Sequence, residues 1–203
     1  MRSNDEKFKS ILEYIDRLDH IDPGEIPGIN LYMDQVLTFM NERLSGTQHK
    51  TEGPVITKTM INNYAKNHLF PSPVKKKYSR DHILMLILIL YYKNVVSLSD
   101  IEEILTPLGD LYTGPNANPD LPSIYREVFS LETDQRERLK QDIREKFDRA
   151  KETFPEAEEE DRERLQLFAF LCELAFDVYL KKEMIELVAD ELRSEHPDNK
   201  KHK

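Results

Sequence analysis

The sequence predicts an all-α protein with a helical C-terminal half that includes a long final helix. Apolar residues recur at intervals of three and four positions over much of the chain, which is the spacing of one helix face. Hydroxyl residues precede several of these stripes, where a side-chain oxygen can accept a bond from a free backbone amide. No strand of any length is indicated, because extended runs of alternating apolar and polar residues are missing.

The N-terminal part of the sequence predicts two amphipathic helices separated by a break. The first lies within residues 1–22, with Asn4 placed to cap it. Its stripe consists of Phe8, Ile11, Leu12, Ile15 and Leu18. Proline and glycine residues at 22–28 interrupt the chain, and a second stripe over residues 33–44 predicts the next helix. A polar loop at 47–53 follows.

Three helix starts in the middle of the chain follow one pattern. Thr57, Ser79 and Ser97 each stand after an apolar residue and four positions before an isoleucine. In this arrangement the hydroxyl group caps the helix and the apolar pair closes over its first turn. The predicted ends are His68, Tyr92 and the sequence Pro107-Leu108-Gly109. The middle helix is apolar nearly all round, which predicts a central, buried element.

The C-terminal half is predicted to begin after a linker at residues 109–122, which is rich in proline. Within the helical region 123–195, one charged helix carries the stripe Leu139, Ile143, Phe147, Ala150 and Phe154. The final helix is predicted over 157–194, and residues 196–203 form a disordered tail. Between Leu165 and Leu180, apolar residues cover most of the helix circumference, so two packing partners are required.

The distribution of charge is more informative than its sum. The whole chain has a net charge of −9, which argues against binding to nucleic acid. Residues 54–97, however, contain seven cations and only one anion, Asp81. This basic segment therefore carries +6 and the rest of the chain −15. Because binding responds to the local field, the segment is a candidate surface for a polyanion.

Within the basic segment, residues 56–83 read ITKTMINNYAKNHLFPSPVKKKYSRDHI, and residues 96–101, after the apolar helix, read VSLSDI. A short helix, an aromatic turn with leucine and proline, a run of lysines and a Tyr-Ser helix start succeed one another. Over about residues 54–108 this order resembles the DNA-reading part of MerR-type winged-helix regulators. The resemblance implies a winged-helix, helix-turn-helix module, which we place at residues 30–108. The stretch is more similar still to the uncharacterised bacterial domain-of-unknown-function family 1836, which implies a fold but no activity.

The resemblance and the residue chemistry together predict the positions that contact DNA. Tyr64 falls on a tyrosine that contacts phosphate in MerR-type proteins, while Asn62 replaces an arginine and His68 a glycine. Asparagine is suited to adenine, and lysine or threonine to phosphate. Lys75, Lys76 and Lys77 would form a short cationic wing. The predicted DNA-binding residues are Thr57, Lys58, Thr59, Asn62, Asn63, Tyr64, Lys66, Lys75, Lys76, Lys77, Tyr78 and Arg80.

Other interpretations of these residues remain open at this point. The basic surface is compatible with an ordinary solvated face, and Tyr64 and Tyr78 with residues at the edge of the core. The leading function is DNA-binding transcriptional regulation, and the alternative is a protein-interaction or assembly module that keeps the fold without binding DNA. We expect no catalysis, cofactor or metal, because the sequence lacks a glycine-rich phosphate loop, a His-Glu metal motif and a nucleophile–base pair.

The expected partners are double-stranded DNA and a second copy of the chain. The dimer would form through the helix at 157–194, unless the N-terminal helix covers the second apolar face from within the chain. No membrane partner is expected, because the most apolar stretch, Ile83–Tyr92, is much shorter than the ~20 residues that span a bilayer. A single cysteine, Cys172, excludes an intramolecular disulfide. We therefore expect a soluble, cytoplasmic protein.

Overall fold

The computed structural model describes residues 2–17, 20–47 and 53–195 and is mainly α-helical, as the sequence predicts. The predicted tail at 196–203 lies outside the described residues. In chain order the elements are α1 (Asn4–Arg17), β1 (Leu31–Tyr32), α2 (Met33–Leu44), α3 (Lys58–Lys66), β2 (Lys77–Tyr78), α4 (Arg80–Tyr92), α5 (Leu98–Leu111), α6 (Leu121–Lys151) and α7 (Glu159–Glu195). Short 3₁₀ turns occupy Pro23–Glu25 and Ser45–Thr47. None of the helices in the described ranges has both the length and the hydropathy needed to cross a membrane.

The chain forms two compact units. The α1 unit comprises Met1–Leu18 and Ser130–Glu183, and the α4 unit comprises Asp19–Phe129 and Met184–Lys203. Each unit has its own hydrophobic core.

Helix α4 is the centre of the α4 unit, which confirms the prediction made from its composition. Most of its apolar side chains are buried, since neighbouring elements surround it. The buried residues are Ile83, Leu84, Met85, Leu86, Ile87, Ile89 and Leu90. Over Ile83–Leu90 only Leu88 is partly rather than fully packed, so a polar side chain would be buried at nearly every position.

All three predicted helix caps are present. The Thr57 hydroxyl accepts from the amide of Met60 at 3.2 Å. The Ser79 and Ser97 hydroxyls accept from the amides of His82 and Asp100, at 3.5 Å and 3.2 Å. In α4 and α5 the third helical residue returns a bond to the cap amide, which completes a capping box. These local contacts fix where the helices begin.

The predicted cap of α1 was wrong by one residue. Ser3, not Asn4, occupies the cap: its hydroxyl accepts from the Glu6 amide at 3.2 Å, and its own amide donates to the Glu6 carboxylate at 2.9 Å. Asn4 instead donates its side-chain amide to the carbonyl of Glu163 at 2.8 Å. A serine followed three residues later by glutamate is a capping box, which satisfies two backbone amides where asparagine would satisfy one.

The predicted end of α5 at Pro107-Leu108-Gly109 came two residues too early, since the helix continues to Leu111. Gly109 is buried within it, and a Cβ atom there would lie 3.4 Å from Pro71 and 3.7 Å from Met85. Gly109 therefore lies inside the helix, at a position packed against Pro71 and Met85, and does not end it.

The structure contains two short strands that the sequence did not indicate. β1 and β2 pair antiparallel, with Leu31 opposite Tyr78 and Tyr32 opposite Lys77. Leu31 and Tyr78 are buried. Two residues per strand are too few for an alternating pattern to appear in the sequence.

The last turns of α7 are fastened to α5 within the α4 unit. The Arg193 guanidinium donates to Asp100 at 2.7 Å and lies 3.5 Å from Glu103. Ala189 is buried, and Ile185 packs on the core of the unit. Although burial raises the pKa of Asp100, hydrogen bonds from Ser97 and Arg193 hold it below its usual value.

Candidate nucleic-acid interface

The entry to α3 is held by a side chain of α2. The Asn41 amide donates to the carbonyl of Ile56 at 2.9 Å and accepts from its backbone amide at 3.2 Å. These two bonds hold Ile56, the residue directly before the helix cap Thr57. Asn41 is therefore a positioning residue that the sequence analysis missed, although an asparagine beside an apolar stripe was a usable signal.

The exit from α3 is a Schellman motif, which requires one residue in the left-handed conformation. His68 takes this position, with φ 54°. Its amide donates to Ala65 at 3.2 Å, and the Leu69 amide donates to Tyr64 at 3.1 Å. The MerR resemblance implied a glycine at His68, and the backbone here has the conformation that glycine adopts most easily.

The outer face of α3 is polar throughout. Its exposed residues, which we call the α3 face, are Lys58, Thr59, Asn62, Asn63 and Lys66. At the pitch of an α-helix these five positions span about 140° of the circumference. The opposite side is apolar, with Ile61 and Tyr64 buried. Thr57 is half-buried and uses its hydroxyl oxygen in the cap.

The two asparagines of the α3 face differ in their bonding. The Asn67 amide donates to the side-chain oxygen of Asn63 at 3.2 Å and to its carbonyl at 2.8 Å. Within the described part of the chain, no such bond engages the side chain of Asn62. Because bidentate recognition of adenine uses both the oxygen and the amide of asparagine, Asn62 is the better placed of the two.

The lysine run forms a tight reverse turn at the start of β2. The Lys77 amide donates to the carbonyl of Val74 at 3.0 Å, and the two residues between them, Lys75 and Lys76, have φ angles of 52° and 62°. Positive φ at both central positions defines a type I′ turn, which favours Asn-Gly. Lysine costs roughly 1–2 kcal/mol at each left-handed position relative to an ordinary conformation. Both lysines are exposed at the tip of this turn. We call the turn from Val74 to Lys77 the wing, and Lys75 and Lys76 its tip.

Two predicted DNA-binding cations lie away from the tip. Lys77 is half-buried, with its ammonium group 5.0 Å from the ring centre of Tyr32. Arg80 is also half-buried and makes a long bond of 3.5 Å to the carbonyl of Ile26. Both cations are therefore held by β1 and the segment before it.

Tyr64 and Tyr78 are core residues, with 4% and 5% of their surfaces exposed. Burial raises the pKa of each phenol above its usual value. Of the two interpretations offered for these tyrosines, this placement favours the one at the edge of the core. The rings stabilise the base of α3 and the wing.

His82, in the first turn of α4, contacts both the helix cap Ser79 and the aromatic residues Phe70 and Tyr78. Its Nδ1 atom accepts from the Ser79 amide at 3.1 Å, and its ring lies edge-on to Phe70 and Tyr78. Burial lowers the pKa of His82 below 6.5, although the carbonyls of Ser72 and Pro71 and the Asp81 carboxylate act in the opposite direction. The folded protein therefore favours the neutral imidazole.

A stability measurement tests this state of His82. As the pH falls below 6.5, the unfolded chain binds a proton that the folded ring still resists. The free energy of unfolding should therefore decrease between pH 6.5 and the lower folded pKa. Urea unfolding of His82→Gln, which keeps the capping box, should show a smaller decrease than the parent protein. Equal pH dependence in the two proteins would contradict the assignment.

No group of three or more His, Cys, Asp or Glu side chains among the described residues is arranged to hold a metal ion. The sequence from Pro54 to Arg80 contains no acidic residue and six cations. The α3 face and the wing therefore belong to a stretch of one sign of charge.

The family model described as "Domain of unknown function (DUF1836)" matches residues 21–128, which is more than half of the chain. This chain belongs to the DUF1836 family. The DUF1836 match includes every predicted DNA-binding residue and lies wholly within the α4 unit. No curated protein and no solved structure is significantly similar to this DUF1836 chain. Membership supports the predicted family relationship but assigns no activity.

Proposed function

We propose that this DUF1836 protein is a cytoplasmic, non-catalytic transcriptional regulator that binds double-stranded DNA through a winged-helix module of MerR-like type. The observation that carries the proposal is the composition of the α3 face, which offers only lysine, threonine and asparagine to solvent. A helix of nine residues with such a face fits the major groove, where amides read base edges and cations approach phosphates.

The wing would supply contacts to the DNA backbone. Lys75 and Lys76 project from a turn whose backbone is held by a hydrogen bond between Val74 and Lys77. A cation presented on a constrained turn loses less conformational freedom on binding than one on a flexible loop. Strained left-handed lysines are also the kind of local cost that clusters at functional sites. These features support a phosphate-binding role for the tip.

A double substitution at the tip of the wing tests the proposal, because it removes the charges while making the type I′ turn more favourable. Lys75→Asn/Lys76→Gly removes two charges and introduces the pair that type I′ turns prefer. We expect the free energy of unfolding to rise by about 1 kcal/mol. Affinity for all DNA sequences should fall, and the slope of log affinity against log salt should become shallower by about 1.8, since each phosphate contact contributes about 0.9. Anisotropy titrations at several salt concentrations measure both.

A matched control removes the same charge elsewhere. Lys9 and Lys181 are exposed in the α1 unit, so Lys9→Gln/Lys181→Gln should leave DNA affinity and its salt slope unchanged. Equal losses in the two double variants would mean that net charge alone is responsible and would remove the wing from the proposal. Failure of the parent protein to bind genomic fragments at low salt would refute DNA binding.

The second candidate function is a protein-interaction or assembly module that keeps the fold without binding DNA. The observation in its favour is the number of large apolar side chains exposed on α7. Self-association without DNA binding would support this candidate over the first.

A further inference from the structure

Helix α7 turns its polar side chains inward within the α1 unit. Between Leu165 and Leu180 its polar residues are Gln166, Glu173 and Asp177. Gln166 donates to the carbonyl of Lys151 at 2.6 Å. Glu173 binds Arg149 and Asp177 binds Lys146, each at 2.7 Å. These three polar side chains would face water on most surface helices, but here they contact α6, which ends at Lys151.

The outer side of the same stretch is apolar and exposed. Its large side chains, which we call the α7 outer face, are each 53% to 66% exposed. They are Phe168, Leu171, Phe176, Val178, Tyr179 and Leu180. Ala175 is exposed among them, and no charged residue lies between Leu165 and Leu180 on this side. Monomeric proteins rarely expose a continuous apolar surface of this size.

The partners that the sequence offered for α7 within the chain are already in place on its inner side. In the core of the α1 unit, Phe170 packs with Ile143 and Phe147 of α6 and with Ile15 of α1. The Phe8 ring stacks on that of Phe147 at 4.2 Å between centres. Among the residues that the structure describes, this cluster contains five buried side chains, which is a small core for the unit. The α7 outer face therefore has no cover within the α1 unit.

We propose that the α7 outer face is a homodimer interface, in which α7 of one copy packs against α7 of a second copy about a two-fold axis. An uncharged apolar surface is best covered by another uncharged apolar surface, because a charged group buried against it would be left without a partner. The same face of a second copy of the chain is such a surface. The six side chains together expose roughly 700 Å² per copy, which is the upper limit of what this face can bury and compares with roughly 800 Å² per partner in a standard interface. Two-fold packing also closes the assembly, because each copy presents the same patch.

Sedimentation equilibrium of the full chain at low and high micromolar concentrations tests the dimer. The parent protein should have a mass of about twice 23.9 kDa. Leu171→Glu should raise the dissociation constant at least a hundredfold, because the two-fold axis places two carboxylates in one apolar interface. Since Leu171 is exposed in the single chain, circular dichroism should show unchanged helix content.

The control is Val188→Glu on the same helix. Val188 is 52% exposed, close to the 53% of Leu171, but it lies outside the α7 outer face. This variant should remain dimeric, and the milder Val178→Ser should weaken the dimer if Leu171→Glu perturbs folding. A parent mass near 23.9 kDa at every concentration would overturn the proposal. A mass that grows without limit, or a dimer that Leu171→Glu and Val178→Ser leave intact, would also overturn it. The result does not depend on whether the protein binds DNA.

Discussion

Replacing Leu86 with alanine is expected to lower the free energy of unfolding by about 2–5 kcal/mol. Leu86 is fully buried in α4, and elements on several sides of this helix pack against the same core. Removing three carbons there loses their transfer free energy and leaves a cavity that the surrounding helices fill only in part. Leu86→Glu should be more damaging still, because a buried carboxylate would find no partner. Urea unfolding followed by circular dichroism measures both changes.

The control for this prediction is the same substitution two residues away. Leu88 lies on the same helix but is only partly buried, so Leu88→Ala should cost clearly less than Leu86→Ala. If the two variants unfold at the same urea concentration, α4 is not the central element of the α4 unit.

Replacing Asn62 with alanine is expected to cost about 1–3 kcal/mol of DNA affinity at particular base pairs only. Its amide is exposed on the α3 face with both polar atoms available. Asn63→Ala should cost less, because the oxygen of Asn63 already accepts from Asn67. Competition titrations with single base-pair changes in one bound fragment measure the difference.

Lys66→Ala is the control for sequence-specific recognition. Lys66 is exposed on the same face, and loss of a phosphate contact should weaken binding to all fragments about equally. A uniform loss with Asn62→Ala would assign Asn62 to the backbone rather than to a base, and no loss would remove it from the interface.

The parts of the fold that local chemistry specifies were predicted from the sequence. The caps at Thr57, Ser79 and Ser97 depend on groups within three residues of one another, so their signal is contained in a short window. The burial of α4 followed from its composition alone. The α3 face was predictable for the same reason, because the apolar positions Ile61 and Tyr64 determine which side of a short helix meets the core.

Features that depend on distant residues were not predictable. Pro107 and Gly109 have the local pattern of a helix end, but the space beside Gly109 is defined by Pro71, far away in the sequence. The bonds from Asn41 to Ile56 join residues fifteen positions apart, and the β1–β2 pairing joins Tyr32 to Lys77 across more than forty residues. The same pairing draws Lys77 away from the wing tip, which a run of three lysines does not reveal.

The contact between Arg193 and Asp100 shows that the region matched by the family model and the compact unit of the structure are not the same part of the chain. The stretch that defines the family ends at residue 128, whereas the α4 unit also includes residues near the C-terminus. A fragment cut at the family boundary would retain Asp100 without the guanidinium that neutralises it, and would lose the buried Ala189. The stretch that the family model matches is therefore shorter than the compact unit that contains it, and the packing of that unit extends to a C-terminal segment beyond the family boundary.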